Sequence, residues 1–185
     1  MTTHFEHACL MRDAGAVKRY HTVRTARTQT VAEHTFGVMQ LIQQIYPDAR
    51  KEVLLAAMHH DLPEYVTGDV PAPIKRQLPR LAILLEEAER GTAPLYQDFN
   101  LTAFEEAVVK WCDLMELVLW CLEEVQLGNA YAMHPCIKGL SWLWDAYDGL
   151  VAQNPLTNTA RKLLRETTEA ARKAGITLTV EHTKD

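Results

Sequence analysis

Between Met58 and Lys75 the chain reads MHHDLPEYVTGDVPAPIK, where two adjacent histidines, His59 and His60, run into the carboxylates of Asp61, Glu64 and Asp69. Imidazole nitrogens and carboxylate oxygens together are the donors that borderline transition metals take, whereas calcium prefers oxygen alone. Two more residues of the same types lie far away in the chain, His34 and Asp113. A lone buried histidine is ordinarily a core residue bonded to a carbonyl. A lone buried aspartate ordinarily pairs with a cation, and Lys110 and Arg19 are both candidates. Several such residues buried together are a different matter, because carboxylates are costly to bury without a compensating cation and neutral imidazoles supply none.

Helical spacing turns these residues inward. Val31, His34, Val38, Leu41 and Ile45 share one stripe, as do Val53, Ala56, Ala57 and His60 on the next helix. Val109, Asp113, Leu117 and Trp120 form a third stripe, and Asp61 follows His60 at a helix end. A divalent metal would satisfy His34, His60, Asp61 and Asp113 at once, and ligands from three helices leave coordination positions open. Zinc, cobalt, manganese and magnesium are all compatible. Glu64 projects toward the same cavity if its helix continues one turn past Asp61, which makes it the candidate general base. His59 falls off the stripe, at the surface or behind the ligands.

The elements that position these residues are helical almost throughout. Thr30-Val31-Ala32-Glu33 is a capping-box pattern opening a helix to about Tyr46, and Asp48 is placed to cap the next one. Thr67 to Pro71 is a turn, followed by a helix from about Ala72 to Arg90 that Pro79 should kink or split. Thr102-Ala103-Phe104-Glu105 is a second capping box, starting a long helix that stops at Gly128. Helices from about Ala130 to Gln153 and Thr157 to Ala174 follow, with a tail from Ile176 that is loose or lies on a neighbour. The spacing predicts an all-α bundle, with residues 1–185 as a single domain.

Composition sets outer bounds. With 185 residues, 48% hydrophobic and 23% charged, the chain suits one soluble domain. It carries no uninterrupted apolar run of membrane-spanning length and no signal-peptide pattern, so a cytoplasmic protein is expected. A net charge of -5 argues against a nucleic-acid-binding surface. Lys18, Arg19, Arg24 and Arg27 form a local basic group that could serve a small anion. Cys9, Cys112, Cys121 and Cys136 show no paired spacing and read as reduced thiols. Trp142, Leu143, Trp144 and Tyr147 offer more apolar surface than one small core needs, which predicts a homo-oligomer.

His34, the His60-Asp61 pair and Asp113 match, in order and setting, the H…HD…D signature of the HD-domain phosphohydrolases, whose fold is a helical bundle. The segment from His60 to Lys75 resembles more closely the HD-x-x-E-x-x-T-G-D-x-P-x-P-x-K stretch of HD-type 5'-deoxynucleotidases and of related phage dATP triphosphohydrolases. That resemblance implies a small-molecule deoxynucleotide substrate, Glu64 acting on water and Asp69 contacting the sugar. It also implies Arg19 on a phosphate, with Tyr20, where tryptophan is usual, packing against the deoxyribose and excluding a 2'-hydroxyl. Lys75 could reach a phosphate as a point charge. The RYHT run and the compact length lean toward cleavage of dATP to deoxyadenosine and triphosphate by a phage-encoded protein in the host cytoplasm. Cleavage of deoxynucleoside monophosphates is the near alternative, and an inactive helical binding module the distant one. Hydrolysis of cyclic or hyperphosphorylated guanine nucleotides fits the TGD segment less well.

Overall fold

A 24-residue helix, α7 (Ala103–Gln126), is the axis on which the fold is built. Its start is the expected capping box, with Thr102 Oγ1 accepting from the Glu105 N–H and the Glu105 carboxylate accepting from the Thr102 N–H. Its end is set by Gly128, whose φ of 94° lies in the left-handed region that glycine adopts without a Cβ clash. The computed structural model describes residues 3–151 and 157–177.

Before α7 come α1 (His4–Gly15), α2 (Val31–Ile45), α3 (Lys51–His59), the single turn α4 (Glu64–Thr67), α5 (Ala72–Gln77) and α6 (Pro79–Arg90). After it come a 3-10 turn (Ala130–Ala132), α8 (Met133–Val151) and α9 (Thr157–Lys173). Among the described residues there is no strand, only an isolated antiparallel bridge between Lys18 and Thr30, so the molecule is all-α. That bridge has a purpose. With Arg19 N–H donating to the Gln29 carbonyl (2.9 Å) and Val31 N–H to the Val17 carbonyl (2.9 Å), it brings Arg19 beside the start of α2.

The core lies where α2, α3, α8 and α9 close around α7. Val38, Ile42, Val53, Val108, Trp111, Met115 and Leu164 are buried there. Trp111 is 2% exposed, and its indole N–H donates to the Leu143 carbonyl at 3.3 Å, so a large ring is buried without stranding its polar end. Cys112, Cys121 and Cys136 are buried free thiols; burial pushes Cys136 up to about 11.

Several expectations need correction. The Thr30 cap forms, but Glu33 does not complete the box, because its carboxylate pairs with Arg27 at 2.5 Å. Asp48 does not cap α3: the helix begins at Lys51, two residues beyond the reach of that carboxylate, with Arg50 at the cap. Pro79 splits rather than kinks, giving α5 and α6. Ile176, the first residue of the tail expected to be loose or to lie on a neighbour, is 2% exposed; residues 178–185, like the expected helix end at Gln153, lie outside the described residues. Leu143 and Tyr147 are core, and exposed Trp142 is covered by the Arg76 guanidinium 4.4 Å above its ring, so that cluster offers no open apolar face.

Candidate metal centre

Two helices and a turn deliver the cluster. α2 carries His34, the turn directly after α3 carries His60 and Asp61, and the middle of α7 carries Asp113. His34 is fully buried, with its Nδ1 against the Glu116 carboxylate. His60 Nδ1 lies 2.6 Å from the Ala57 carbonyl, which can only accept, so this nitrogen carries the proton. Both imidazoles are thereby turned with Nε2 toward the same point, and the two Nε2 atoms stand 3.3 Å apart. Two lone pairs at that distance repel unless a cation or a proton lies between them.

Carboxylates complete the arrangement. His34, His60 and Asp61 present donor atoms within 4.8 Å of one another, and Asp113 Oδ1 lies 3.0 Å from His34 Nε2 and 3.8 Å from His60 Nε2. Asp113 is less enclosed than its apolar stripe suggested, with a side chain 40% exposed at the mouth of the cluster. Burial alone would drive protons off the imidazoles, but Asp61 reverses this and raises His60 to about 9. His34 is raised too, its burial outweighed by hydrogen bonding to Asp113 and Glu116. Burial works against the charge on Asp113 as well, yet His34 and His60 hold it well below the usual carboxylate range. These proton affinities mean that the cluster demands positive charge. The donor set fits a divalent transition ion, with ring orientation fixed through the opposite nitrogens in the way that metal-binding histidines require.

The sequence pattern does not single out Glu116. Its Oε2 meets His34 Nδ1 and its Oε1 accepts from Gln29 Nε2 at 2.8 Å, so a buried amide braces the carboxylate that aims the histidine. Space for it comes from Gly37, where a Cβ would stand 2.8 Å from Glu116 Cγ. The spacings of three, Asp113 to Glu116 and His34 to Gly37, were the available signals.

Around the cluster, α3 ends at His59, so Glu64 is not on a continued helix. A turn, with Leu62 N–H donating to the His59 carbonyl and Glu64 N–H to the Asp61 carbonyl, returns the chain and starts α4. Glu64 is nevertheless buried; its Oε2 has no partner among the described residues and its Oε1 is 3.6 Å from Lys75 Nζ. Burial, then Asp61 and Asp69, push Glu64 up to about 8. Arg19 pairs with Asp61 through Nη1, while its buried Nε has no partner among the described residues. Arg27 instead pairs with Glu33 and Glu123, so the basic group seen in the sequence does not act together.

Tyr20 adopts a left-handed backbone (φ 55°), which costs a non-glycine residue energy and is held by Asp69, whose Oδ2 accepts the Tyr20 N–H at 2.8 Å. Its ring stacks on Trp120, centroids 4.1 Å apart. Asp69 thus meets the backbone of Tyr20 directly. His59 is buried, not at the surface: its Nδ1 donates to the Leu95 carbonyl (3.3 Å) and its ring lies 5.4 Å from that of Phe99.

A family model described as 5'-deoxynucleotidase YfbR-like matches residues 6–134. The 5'-deoxynucleotidase of Cronobacter sakazakii is 28% identical over 138 residues, 61% of this chain and 69% of that protein. That of Erwinia tasmaniensis is 29% identical over 138 residues, 61% of this chain and 70% of that protein. In fold, the chain is similar to the cyanophage S-2L HD phosphohydrolase DatZ, solved bound to dA and one catalytic Zn2+ ion. The TM-score is 0.68 at 22% identity, covering 96% of this chain and 99% of that one. With an HD-type bundle, a histidine and carboxylate cluster at its centre and a family match across most of its length, the chain belongs to the 5'-deoxynucleotidase YfbR-like family of metal-dependent HD phosphohydrolases.

Proposed function

We propose that the chain hydrolyses 2'-deoxynucleoside monophosphates to deoxynucleoside and phosphate, with His34, His60, Asp61 and Asp113 holding a divalent metal, zinc by preference. The observation that carries this reading is the convergence of two Nε2 atoms, 3.3 Å apart, whose opposite nitrogens are already committed. When bound, such an ion supplies an acidified water and offsets charge on a phosphoryl oxygen.

The chain's own residues do the rest. Glu64, raised toward neutrality by its surroundings, takes the proton of the attacking water through its unpartnered Oε2. Arg19 keeps an unpartnered Nε–H for a phosphate oxygen, and Lys75 adds a point charge beside Glu64. Tyr20, fixed by its stack on Trp120 and by Asp69, presents a rigid surface to the deoxyribose, and Asp69 accepts from the sugar. Residues 1–185 act as one cytoplasmic domain.

The relatives' name, 5'-deoxynucleotidase, supports one phosphate over three. The second reading, dATP to deoxyadenosine and triphosphate, draws on the end-to-end likeness to a phage protein bound to dA. A panel of deoxy- and ribonucleotide mono-, di- and triphosphates, with each metal and product identification, tests the proposal. Phosphate from the deoxynucleoside monophosphates is expected; triphosphate from dATP with no turnover of dAMP would replace the first reading by the second.

We also propose a homo-oligomer through α4 to α6. Tyr65, Val66, Ile74, Leu78, Ile83 and Leu84 are exposed there, and neither α5 nor α6 buries a residue within the chain.

A further inference from the structure

The 16–30 segment carries Arg19 and Tyr20, has no helix of its own, and sits on one face of α7. Glu116, Trp120 and Glu124 follow at spacings of four along α7, so they share that face. Glu116 accepts from the Gln29 side chain at 2.8 Å, and Trp120 stacks on Tyr20 with ring centroids 4.1 Å apart. Glu124, fully buried, accepts the backbone N–H groups of Ala26 (2.6 Å) and Arg27 (3.0 Å), one on each carboxylate oxygen. Asn129, just past the end of α7, donates through Nδ2 to Glu124 Oε2 at 2.7 Å and to the Arg24 carbonyl at 3.0 Å. We propose that Glu124 is a positioning residue for the substrate: it fixes the 16–30 segment, and through it the grip of Arg19 and Tyr20 on phosphate and sugar, without touching the metal centre. The proposal rests on the roles given above to those two residues.

Glu124 lies about three helical turns from Asp113 along α7, too far to act on the metal directly. Burial works against its charge, yet the Asn129 amide and the two backbone N–H groups hold its carboxyl below the usual carboxylate range, so it is an ionised acceptor. Hydrogen bonds to such an acceptor are about twice as strong as neutral ones, which makes this the firm hold on the segment. The Arg27 guanidinium also reaches the neighbouring Glu123, but that pair is exposed and screened and contributes little. Backbone conformation shows why a firm hold is needed. Tyr20 stands at φ 55°, a state that persists only where surrounding contacts over-determine it. Asp69 supplies one such contact at the Tyr20 N–H, and the α7 face supplies the rest, at the Tyr20 ring and at Ala26 and Arg27. Arg19 is held by the same segment, its N–H on the Gln29 carbonyl at 2.9 Å. Releasing Ala26 and Arg27 therefore costs Arg19 and Tyr20 their aim, while His34, His60, Asp61 and Asp113 keep theirs.

The test measures kcat and KM for dAMP with the zinc-loaded protein, zinc affinity by calorimetry, and amide hydrogen exchange. Glu124→Gln and Asn129→Ala are compared with wild type, alone and combined with Arg19→Ala. Glu124→Gln turns an NH2 group toward a donor and should raise KM about tenfold with kcat nearly unchanged, the scale of one lost hydrogen bond to a charged group. Zinc affinity should not change. The Ala26 and Arg27 amides should exchange faster, while those within α2 and α7 keep their protection. Asn129→Ala, which leaves the carboxylate in place, should give the same pattern to a smaller degree. In the Arg19→Ala background the loss should shrink, because a residue that Glu124 positions is already gone. A loss that persists in full in that background overturns the proposal, as does a loss confined to kcat, a parallel loss of zinc affinity, or an unchanged KM. If Glu124→Gln does not fold, the Asn129→Ala pair decides by the same comparison. If dAMP is not hydrolysed but the same Arg19-dependent loss appears on dATP, the positioning role stands and the monophosphate reading falls; if neither is turned over, both fall.

Discussion

At the scale of residues, the cluster is a set of acids and bases whose proton affinities have been exchanged. His60 is raised to about 9 chiefly because Asp61 outweighs its burial, and Asp113 is lowered by the two histidines. A metal must displace the imidazole protons, so its affinity should increase as pH rises toward 9, with proton release on binding; pH-independent affinity would contradict this. As the proposed general base, Glu64 would work in its ionised form, so turnover should rise with pH through its pKa. That value is about 8 in the metal-free cluster, from burial and from Asp61 and Asp69, and a bound cation lowers it. Glu64→Gln should keep metal and lose turnover by about 100-fold or more, abolishing the acid limb of the pH profile. Glu116→Ala should weaken metal binding by about 10- to 100-fold with the fold intact, because it releases the ring of His34. An unchanged metal titration would remove Glu116 from this role. The burial of His34 was legible because a 3.6-residue period marks the face a helix buries, whereas Asp113, on an equally periodic stripe, keeps a side chain 40% exposed. Glu116 was not legible, because a glutamate flanking an amphipathic stripe is ordinarily solvated.

Elements matter here through their ends. α7 begins in a carboxylate that does two tasks: Glu105 closes the capping box with Thr102 and accepts from Arg50 Nε at 2.5 Å. The Arg50 hydrogen bond, with help from Thr102, holds Glu105 down at about 2. A carboxylate whose folded pKa lies below its unfolded value stabilises the fold above about 4.5, and that contribution is lost as pH falls toward 2. Glu105→Gln should therefore cost about 1 kcal/mol at pH 7, since Arg50 is partly exposed and solvent screens the pair. In denaturant titrations the difference between variant and wild type should close below pH 3; a constant difference would assign the cost to packing. Helix ends were also where sequence reading fell short. Asp48 and Glu33 have good capping chemistry, but one lies two residues early and the other is claimed by Arg27, a long-range partner invisible to local pattern. The 91–102 loop has no period at all, so the Phe99 and Leu95 contacts of His59 could be found only in three dimensions.

Across the whole molecule, the bundle brings residues from α2, the turn after α3 and α7 to one point, and the metal that fits there would link them. Loading should raise the thermal midpoint by an amount that grows with free metal concentration, as for any ligand that binds only the folded state. The exposed apolar face of α4 to α6 should be covered by a second copy, so Leu84→Glu should lower the mass measured by light scattering; an unchanged mass would move the interface elsewhere. No described helix is long and apolar enough to cross a membrane. The most direct measurement is calorimetric titration of zinc into chelator-stripped protein at pH 7, for wild type and for Asp113→Ala. Saturable binding with proton release by the wild type, weakened strongly in the variant, is the expected result. No saturable binding, or identical isotherms for the two proteins, would contradict a metal centre built from His34, His60, Asp61 and Asp113.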